Sequence, residues 1–374
     1  MSLKKKFLSG VTAAILSISL TVGTPNVEAA SSSLVGAAVG IGKTLAEGAA
    51  VRSKLNAQIN QVENSEEGRQ QLYKTFREKY GVNEDPAYNE LLDRIMSNLT
   101  RGVAAVDPTI NSKPYLYFVS AQENLNAACG MGHVMMVNAG TFKRITNEDE
   151  LAAIVGHEMG HGQKSHASKG VKKQLNKVIT AKVLTSAAGA AVGSQGLTSI
   201  IGDIALTHSI AHGSRKQETE ADLLGVDYLI HTNYNPGACA AVMQKFVELE
   251  GSAIKSSRRS SFFNPSDHPD SAKRRDNCAK KLFEYSYKHA EVKDGTVLVN
   301  KKTFMKPVAS SEMSGAERSY FVLGNLARAF HNGQNKHEAT VVNGKVMLGS
   351  QEIVTPLDGD EDAQVLADRL NSLK

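Results

Sequence analysis

Residues 147–161 read NEDELAAIVGHEMGH, and they are the most informative stretch of the chain. Thr146 and Asn147 are followed by an acidic first turn, with Glu150 at the third position after Asn147. This spacing is typical of a capping box and predicts that a helix begins here. The next residues, 151–155, are all apolar, and such a run indicates a helix that is at least partly buried.

The second half of this helix carries the pattern HExxH as His157, Glu158 and His161. Residues four apart share a helical face, so both imidazoles can reach one metal ion. Zinc suits neutral nitrogen ligands, and a carboxylate beside it can take a proton from water. An exposed helix with polar residues at this spacing is the alternative. The apolar residues ahead of the motif argue against it, because a buried histidine and glutamate need partners. We therefore predict one Zn²⁺ per chain.

A catalytic zinc site needs a third protein ligand, and the sequence does not place it directly after the motif. The metzincin pattern would require glycine and histidine where this chain has Lys164 and Ala167. His166 falls on a different side of the helix from His161, and we expect it to be solvated or to cap a helix. The third ligand must come from elsewhere in the chain.

The best candidates for that ligand lie in the segment 218–222, ETEAD. Glu218 and Asp222 are one helical turn apart and share a face. One of them can bind the metal while the other accepts the spare N–H of a ligand histidine. Glu220 is assigned to a solvated acidic face. The spacing alone leaves open which carboxylate is the ligand.

Residues 148–161, with Ser214-Arg215, ETEAD at 218–222 and Gly225, resemble the gluzincin family that contains HtpX, the CAAX prenyl proteases and periplasmic enzymes such as BepA and LoiP. The resemblance covers about residues 60–288. It implies an α+β fold: a mainly helical zincin-type peptidase domain with a small active-site sheet. It also implies that Glu218 is the third ligand and that Asp222 supports a ligand histidine.

Two more segments share this resemblance. Asn126-Ala127 and residues 132–140 look like the family's active-site edge strand, which would bind an extended peptide by strand addition. The side chains predicted to meet substrate follow from it: Asn126, Ala127, Val134 and Met136. His133 is either a further substrate contact or an exposed strand residue. The thiol of Cys129 is an alternative fourth zinc ligand.

Asp267-His268-Pro269, followed by Arg274, resembles the family's Thr-His-Pro segment and its arginine, with Asp267 in place of the threonine. The resemblance implies that His268 is a removable fourth ligand or stabilises the oxyanion, and that Arg274 is a further catalytic residue. With Glu158 as general base, the predicted reaction is hydrolysis of a peptide bond.

The N-terminus predicts export. Of 374 residues with a formal charge of +5, three lysines stand at Lys4–Lys6, ahead of an apolar stretch from Phe7 to Val22. Residues 1–29 are therefore predicted to be a signal peptide, with an uncleaved anchor as the alternative. No basic run with interleaved aromatics follows, which disfavours nucleic-acid binding. No long apolar span follows either, so we expect a periplasmic protein without an integral membrane span.

Residue composition and predicted secondary structure divide the remaining chain into three parts. Residues 30–59 are a Ser/Gly/Ala-rich lead, 60–288 the peptidase domain, and 289–374 a small α+β accessory region without evident repeats. Residues 178–212 are expected to form a buried or mobile helical hairpin over the active site, with a role at the membrane surface as the alternative. Three cysteines allow at most one internal disulfide, and a Cys239–Cys278 bridge is left open.

The function predicted from these patterns is zinc-dependent endopeptidase activity on misfolded or misassembled cell-envelope proteins. Envelope partners of the accessory region are compatible with it. The alternative is an envelope assembly chaperone or scaffold with a gated or mainly structural zinc site. The presence of Glu158 argues against this alternative, because a structural zinc site needs no general base.

Overall fold

The computed structural model describes residues 45–184, 214–255 and 270–374. The predicted signal peptide therefore lies outside the described residues, as does most of the predicted hairpin at 178–212.

The helices are, in chain order, α1 Leu45–Asn64, α2 Glu66–Tyr80, α3 Pro86–Val106, α4 Ala139–Arg144, α5 Glu148–Gln163, α6 His166–Leu184, α7 Arg215–Ile230, α8 Ala238–Lys255, α9 Ser271–Tyr285, α10 Gly315–His331 and α11 Ala363–Leu373. The strands are β1 Leu116–Ser120, β2 Ala127–Cys129, β3 Val134–Asn138, β4 Ala290–Lys293, β5 Thr296–Val299, β6 Lys302–Met305, β7 Ala339–Val342, β8 Lys345–Leu348 and β9 Gln351–Val354. The predicted α+β class is confirmed.

Side-chain caps begin the helices that carry the predicted site. Asn147 accepts the backbone N–H of Glu150 at the start of α5, as the spacing predicted. Ser214 and Gln217 form a complete capping box at the start of α7. Both caps satisfy N–H groups that a helix leaves unpaired at its first turn, so each helix begins at a defined residue.

Glycines allow α5 and α7 to approach closely. A Cβ added at Gly160 would lie 3.0 Å from the backbone of Ala221, and one at Gly225 would lie 3.4 Å from the backbone nitrogen of His157. Larger side chains at these positions would push the helices apart. The two helices that carry the predicted metal ligands are therefore in close backbone contact along the face that holds them.

The first sheet has the order β1-β3-β2, with β3 parallel to β1 and antiparallel to β2. This corrects the prediction that residues 132–140 form the edge strand. Because β3 has a strand on each side, its backbone groups are used within the sheet, and no peptide can be added to it. The short strand β2 lies at the edge beside α5.

Buried polar contacts fix the turn between β2 and β3. Gly132 has a φ of +67°, its N–H donates to Glu63 of α1 over 3.0 Å, and its carbonyl accepts from Arg69 of α2 over 2.6 Å. Helix α1 begins at Leu45, inside the predicted lead, and continues across the predicted boundary at residue 59. The N-terminal helices thus hold the turn that ends the edge strand.

The C-terminal region is built from two similar units, which the sequence reading missed. Residues 290–305 form the antiparallel meander β4-β5-β6, and residues 339–354 form β7-β8-β9 with a bulge at the equivalent position. Each first turn has two residues of positive φ, Asp294-Gly295 and Asn343-Gly344, as two-residue hairpin turns require. A helix follows each meander, α10 and α11. The predicted hairpin around Asn343-Gly344 is confirmed.

The C-terminal region shares its hydrophobic core with the preceding helices. Leu323 and Leu326 of α10 belong to the same buried cluster as Val155 of α5 and Val242 of α8. Helix α10 packs against α8 and α9. None of the helices in the described part of the chain combines the length and apolar character that crossing a bilayer requires.

Candidate metal centre and active site

The two histidines of the HExxH pattern face one another across one helical turn of α5. Their Nε2 atoms are 3.0 Å apart, and both side chains are largely buried. Helix α5 is buried along most of its length. His157 and His161 therefore share one face of α5, as predicted, and their Nε2 atoms are close enough to bind one ion.

Glu218 of α7 closes the group from the opposite side. Its carboxylate oxygens lie 3.5 Å from Nε2 of His157 and 3.4 Å from Nε2 of His161. Among the described residues, these three side chains offer ligand atoms that all lie within 4.8 Å of one another. Zinc–nitrogen and zinc–oxygen bonds of about 2.0–2.2 Å at tetrahedral angles separate ligand atoms by roughly 3.3–3.6 Å. The two distances from Glu218 fall in this range and the 3.0 Å between the histidine Nε2 atoms is slightly shorter, so the donor set fits zinc in chemistry and closely in spacing.

A buried ion pair supports His157. Oδ1 of Asp222 lies 2.9 Å from Nδ1 of His157, and the guanidinium of Arg274 binds both oxygens of Asp222 over 2.7 and 2.8 Å. A carboxylate on the spare nitrogen of a ligand histidine fixes its tautomer and its orientation. Arg274, predicted as catalytic, is 5% exposed, binds Asp222, and lies 3.3 Å from Nδ1 of His157 and 3.7 Å from Glu218. This placement favours a positioning role.

Glu158 is buried beside the two histidines, and its Oε2 accepts the backbone N–H of Cys129 over 2.9 Å. Cys129 ends β2, so the edge strand is in direct contact with the predicted base. The thiol of Cys129 is not part of the three-residue donor group, which disfavours its prediction as a fourth ligand.

Burial and the clustered carboxylates shift the pKa values of the site. Burial opposes a positive charge on His157, but the hydrogen bonds and charges of Asp222 and Glu218 outweigh it and raise the pKa of His157 to about 10. Burial, reinforced by the charge of Glu218, raises the pKa of Glu158 to about 7. Burial and the charge of His157 lower the pKa of His161, so the two ligand histidines do not both carry a positive charge.

The predicted substrate side chains divide between two strands. Val134 and Met136 are buried in the central strand β3, so they cannot line a peptide groove, and their prediction was wrong. His133 is neither exposed nor part of a strand. It is buried and stacks on Tyr115 with ring centroids 4.4 Å apart. Ala127 is the first residue of the edge strand β2 and is buried, and Asn126 precedes the strand, so their contact with substrate stays a prediction.

Sequence reasoning missed two polar residues next to the site. His166 was predicted to be solvated or a cap, yet it is buried and its Nδ1 lies 2.9 Å from Nδ1 of His161. Glu220 is exposed, as predicted, and its Oε2 also lies 3.2 Å from Nε2 of His166, a contact that was not predicted. The only sequence signal was the presence of His166 soon after the motif, and the helix assumed there in fact ends at Gln163.

Other predictions concern the cysteines and His268. Cys239 and Cys278 are both buried free thiols in this structure, so the bridge left open above is not formed. His268, predicted to act on the oxyanion, lies outside the described residues. Its role stays a prediction.

Comparison with known proteins gives one family. The family model for peptidase family M48 matches residues 86–280. The metalloprotease LoiP of Escherichia coli strain K12 is 32% identical over 189 residues, which cover 50% of this chain and 69% of LoiP. The β-barrel assembly-enhancing protease of Yersinia pestis is 22% identical over 167 residues, covering 43% of this chain and 34% of that protein. The mitochondrial metalloendopeptidase OMA1 of Arabidopsis thaliana is 27% identical over 130 residues, covering 35% and 25%. The chain thus spans most of LoiP and about a third or less of the other two.

Proposed function

Since the chain belongs to peptidase family M48 and is a zinc metalloendopeptidase, we propose that His157, His161 and Glu218 hold the zinc ion and that Glu158 is the general base. The observation that carries this assignment is the meeting of three ligand atoms within 4.8 Å, from two helices, beside a buried carboxylate. The residues predicted from spacing and resemblance are the same three. Asp222 and Arg274 are assigned to holding His157 in place.

The chemistry follows from these positions. A zinc ion held by His157, His161 and Glu218 would supply Lewis-acid polarisation of a scissile carbonyl and a water nucleophile near neutral pH. Glu158 takes the proton of the attacking water and delivers it to the leaving amine. Burial raises the pKa of Glu158 in the metal-free site, and a buried carboxylate is a stronger base than an exposed one. We assign His268 to the developing oxyanion on the resemblance alone.

We propose that the substrate binds as an extended strand along β2, not along β3. Among the described strands, β2 pairs with β3 on one side only, and the backbone N–H of Cys129 at its end donates to Glu158 of the active-site helix. Backbone hydrogen bonds to an added strand would give affinity without requiring a particular side chain. Such binding suits an enzyme that meets unfolded segments of many sequences. Ala127 remains in this proposal as the first residue of β2, and Asn126 as the residue that precedes it.

The proposed substrates are misfolded or misassembled proteins of the cell envelope. Two observations support this: residues 1–29 have the pattern of a signal peptide, and the relatives include a β-barrel assembly-enhancing protease. We place the protein in the periplasm on the same grounds. Residues 289–374 are proposed to contact envelope partners while remaining packed on the peptidase helices.

The test is cleavage of an unfolded reporter, such as reduced casein, by the purified chain without residues 1–29. We expect cleavage that a strong chelator abolishes and that one equivalent of Zn²⁺ restores. If the zinc-loaded protein binds the reporter and prevents its aggregation without cutting it, the alternative of an envelope chaperone with a structural zinc site is favoured instead.

A further inference from the structure

The two histidines of the HExxH motif are supported differently. His157 meets a carboxylate directly, because Asp222 lies 2.9 Å from its Nδ1. His161 meets a second histidine: its Nδ1 lies 2.9 Å from Nδ1 of His166, with the two rings at 74° and their centroids 4.9 Å apart. Nε2 of His166 lies in turn 3.2 Å from Oε2 of Glu220. Three side chains thus form a continuous line from the ligand atom of His161 to a carboxylate.

We propose that His166 and Glu220 are positioning residues for the zinc ligand His161. The inference rests on the proposed function, in that His161 binds the ion through Nε2. A neutral imidazole that binds through Nε2 carries its hydrogen on Nδ1, so His161 donates to His166. His166 accepts through Nδ1, carries its own hydrogen on Nε2 and donates it to Glu220. Every donor in this line has an acceptor, and one tautomer of each ring satisfies all of them.

The chain path explains why His166 reaches this position. Helix α5 ends at Gln163, and Ser165 has a φ of +47°, which turns the backbone so that α6 begins at His166. A straight continuation of α5 would place residue 166 on a different face from His161. The tight turn instead brings the His166 ring back onto the His161 ring. The left-handed backbone at Ser165 is therefore part of the arrangement.

Exposure predicts how much each of the two residues contributes. The side chain of His166 is 4% exposed, so water cannot replace its hydrogen bond to His161. The side chain of Glu220 is 44% exposed, and water competes for His166 there. We therefore expect substitutions of His166 to matter more for zinc binding than substitutions of Glu220.

Two variants of His166 separate positioning from packing. His166→Asn keeps an oxygen acceptor near the place of Nδ1 but loses the ring, whereas His166→Phe keeps a ring but loses the acceptor. If His166 acts by packing, His166→Phe should weaken zinc binding less than His166→Asn. If His166 positions His161, His166→Asn should weaken zinc binding less than His166→Phe. Glu220→Gln keeps an acceptor for His166, and Glu220→Leu removes it. Lys173→Ala, at an exposed position of α6, is the control.

The experiment measures zinc affinity by competition with a chromophoric chelator, the visible spectrum of the Co²⁺-substituted protein, and the Tm of the metal-free protein. We expect His166→Phe to weaken zinc binding about 10- to 100-fold, as loss of an outer partner does, and to change the Co²⁺ spectrum, with the metal-free Tm close to that of the parent. His166→Asn should lose less than His166→Phe, and Glu220→Leu more than Glu220→Gln. Parental zinc affinity in His166→Phe, or weaker binding by His166→Asn than by His166→Phe, would overturn the proposal. Failure of the parent itself to bind zinc would instead overturn the proposed function.

Discussion

The backbone N–H of Cys129 donates to Oε2 of Glu158 across 2.9 Å. This bond ties the edge strand β2 to the predicted general base, so a displacement of the strand would move the base as well. It also leaves the other carboxylate oxygen of Glu158 available for water. The turn after Cys129 is held by Glu63 and Arg69 through Gly132, so the N-terminal helices contribute to placing the base.

Substitution of the predicted base should separate zinc binding from catalysis. In Glu158→Gln the amide oxygen can still accept from Cys129, so the fold and one zinc per chain should be retained. Removal of the proton acceptor should lower kcat/KM by at least about 10²-fold. Reporter cleavage and metal analysis of the same sample check this. Full activity with normal zinc content would show that Glu158 is not the base.

Removal of Asp222 should affect both the metal and the fold. Asp222→Ala takes the partner from His157 and leaves the buried Arg274 with only its longer 3.7 Å contact to Glu218. We expect zinc binding to weaken about 10- to 100-fold and the free energy of unfolding to fall by about 3–5 kcal/mol. Chelator competition and urea unfolding measure the two effects.

Asp227→Asn on the same helix is the matched control for Asp222→Ala. Asp227 pairs with Lys281 over 2.7 Å, and both side chains are partly exposed. Loss of a pair of this kind should cost less than about 1 kcal/mol. Equal effects of the two substitutions would contradict a special role for Asp222.

The C-terminal region should stabilise the ligand helix through Arg328. Its guanidinium on α10 donates to the carbonyl oxygens of Leu229 in the last turn of α7 and of Thr232 and Tyr234 just after it, over 3.2, 3.1 and 2.7 Å. Arg328→Met leaves these buried acceptors without that donor and should lower the free energy of unfolding by at least about 2 kcal/mol. Urea unfolding measures it.

Lys345→Met serves as the comparison for Arg328→Met. Lys345 pairs with Glu352 over 2.7 Å on the surface of the second meander, and both side chains are more than a third exposed. Its loss should change the free energy of unfolding by less than about 1 kcal/mol. If Lys345→Met and Arg328→Met lower the free energy of unfolding by the same amount, α10 does not stabilise the end of α7 as proposed.

Stability should depend on pH through Glu317. Lys245 lies between Glu150 and Glu317, at 2.7 and 3.4 Å, so one cation faces two buried carboxylates. Burial, together with the charge of Glu150, raises the pKa of Glu317 from 4.5 to about 7. Between these two values the folded chain binds more protons than the unfolded chain, so this group makes stability fall as pH rises through that window.

Glu317→Gln tests this dependence. The variant cannot acquire the buried negative charge, so at pH 8 it should be more stable than the parent by about 1–2 kcal/mol, since a pKa unit corresponds to about 1.4 kcal/mol and solvent screens part of it. At pH 4.5 the gain should largely vanish. Urea unfolding at both pH values checks the sign. A variant that is less stable than the parent at pH 8 would contradict the pKa shift of Glu317.

Local patterns in the sequence were enough to predict several features of the site. The apolar run before His157 and the cap at Asn147 predicted α5, and the four-residue spacing of His157 and His161 predicted that they share a face. Such features depend on contacts between residues one turn apart, which are set by helix geometry alone. Spacing could not choose between Glu218 and Asp222, because both lie on the same face of α7. The resemblance suggested Glu218, and the ligand distances agree.

Only the tertiary structure decided the remaining features, because each depends on residues distant in the chain. The order β1-β3-β2 buried Val134 and Met136, although their alternation with neighbours also fits an edge strand. The turn at Ser165 places His166 in contact with His161. A continuous helix would have placed the two residues on different faces. The sequence by itself thus determined which residues could bind zinc, and the packing of α5 against α7 and β2 decided which atoms meet there. The physical reason is that helix periodicity is local, whereas strand order and close helix packing arise from pairings that no short segment specifies.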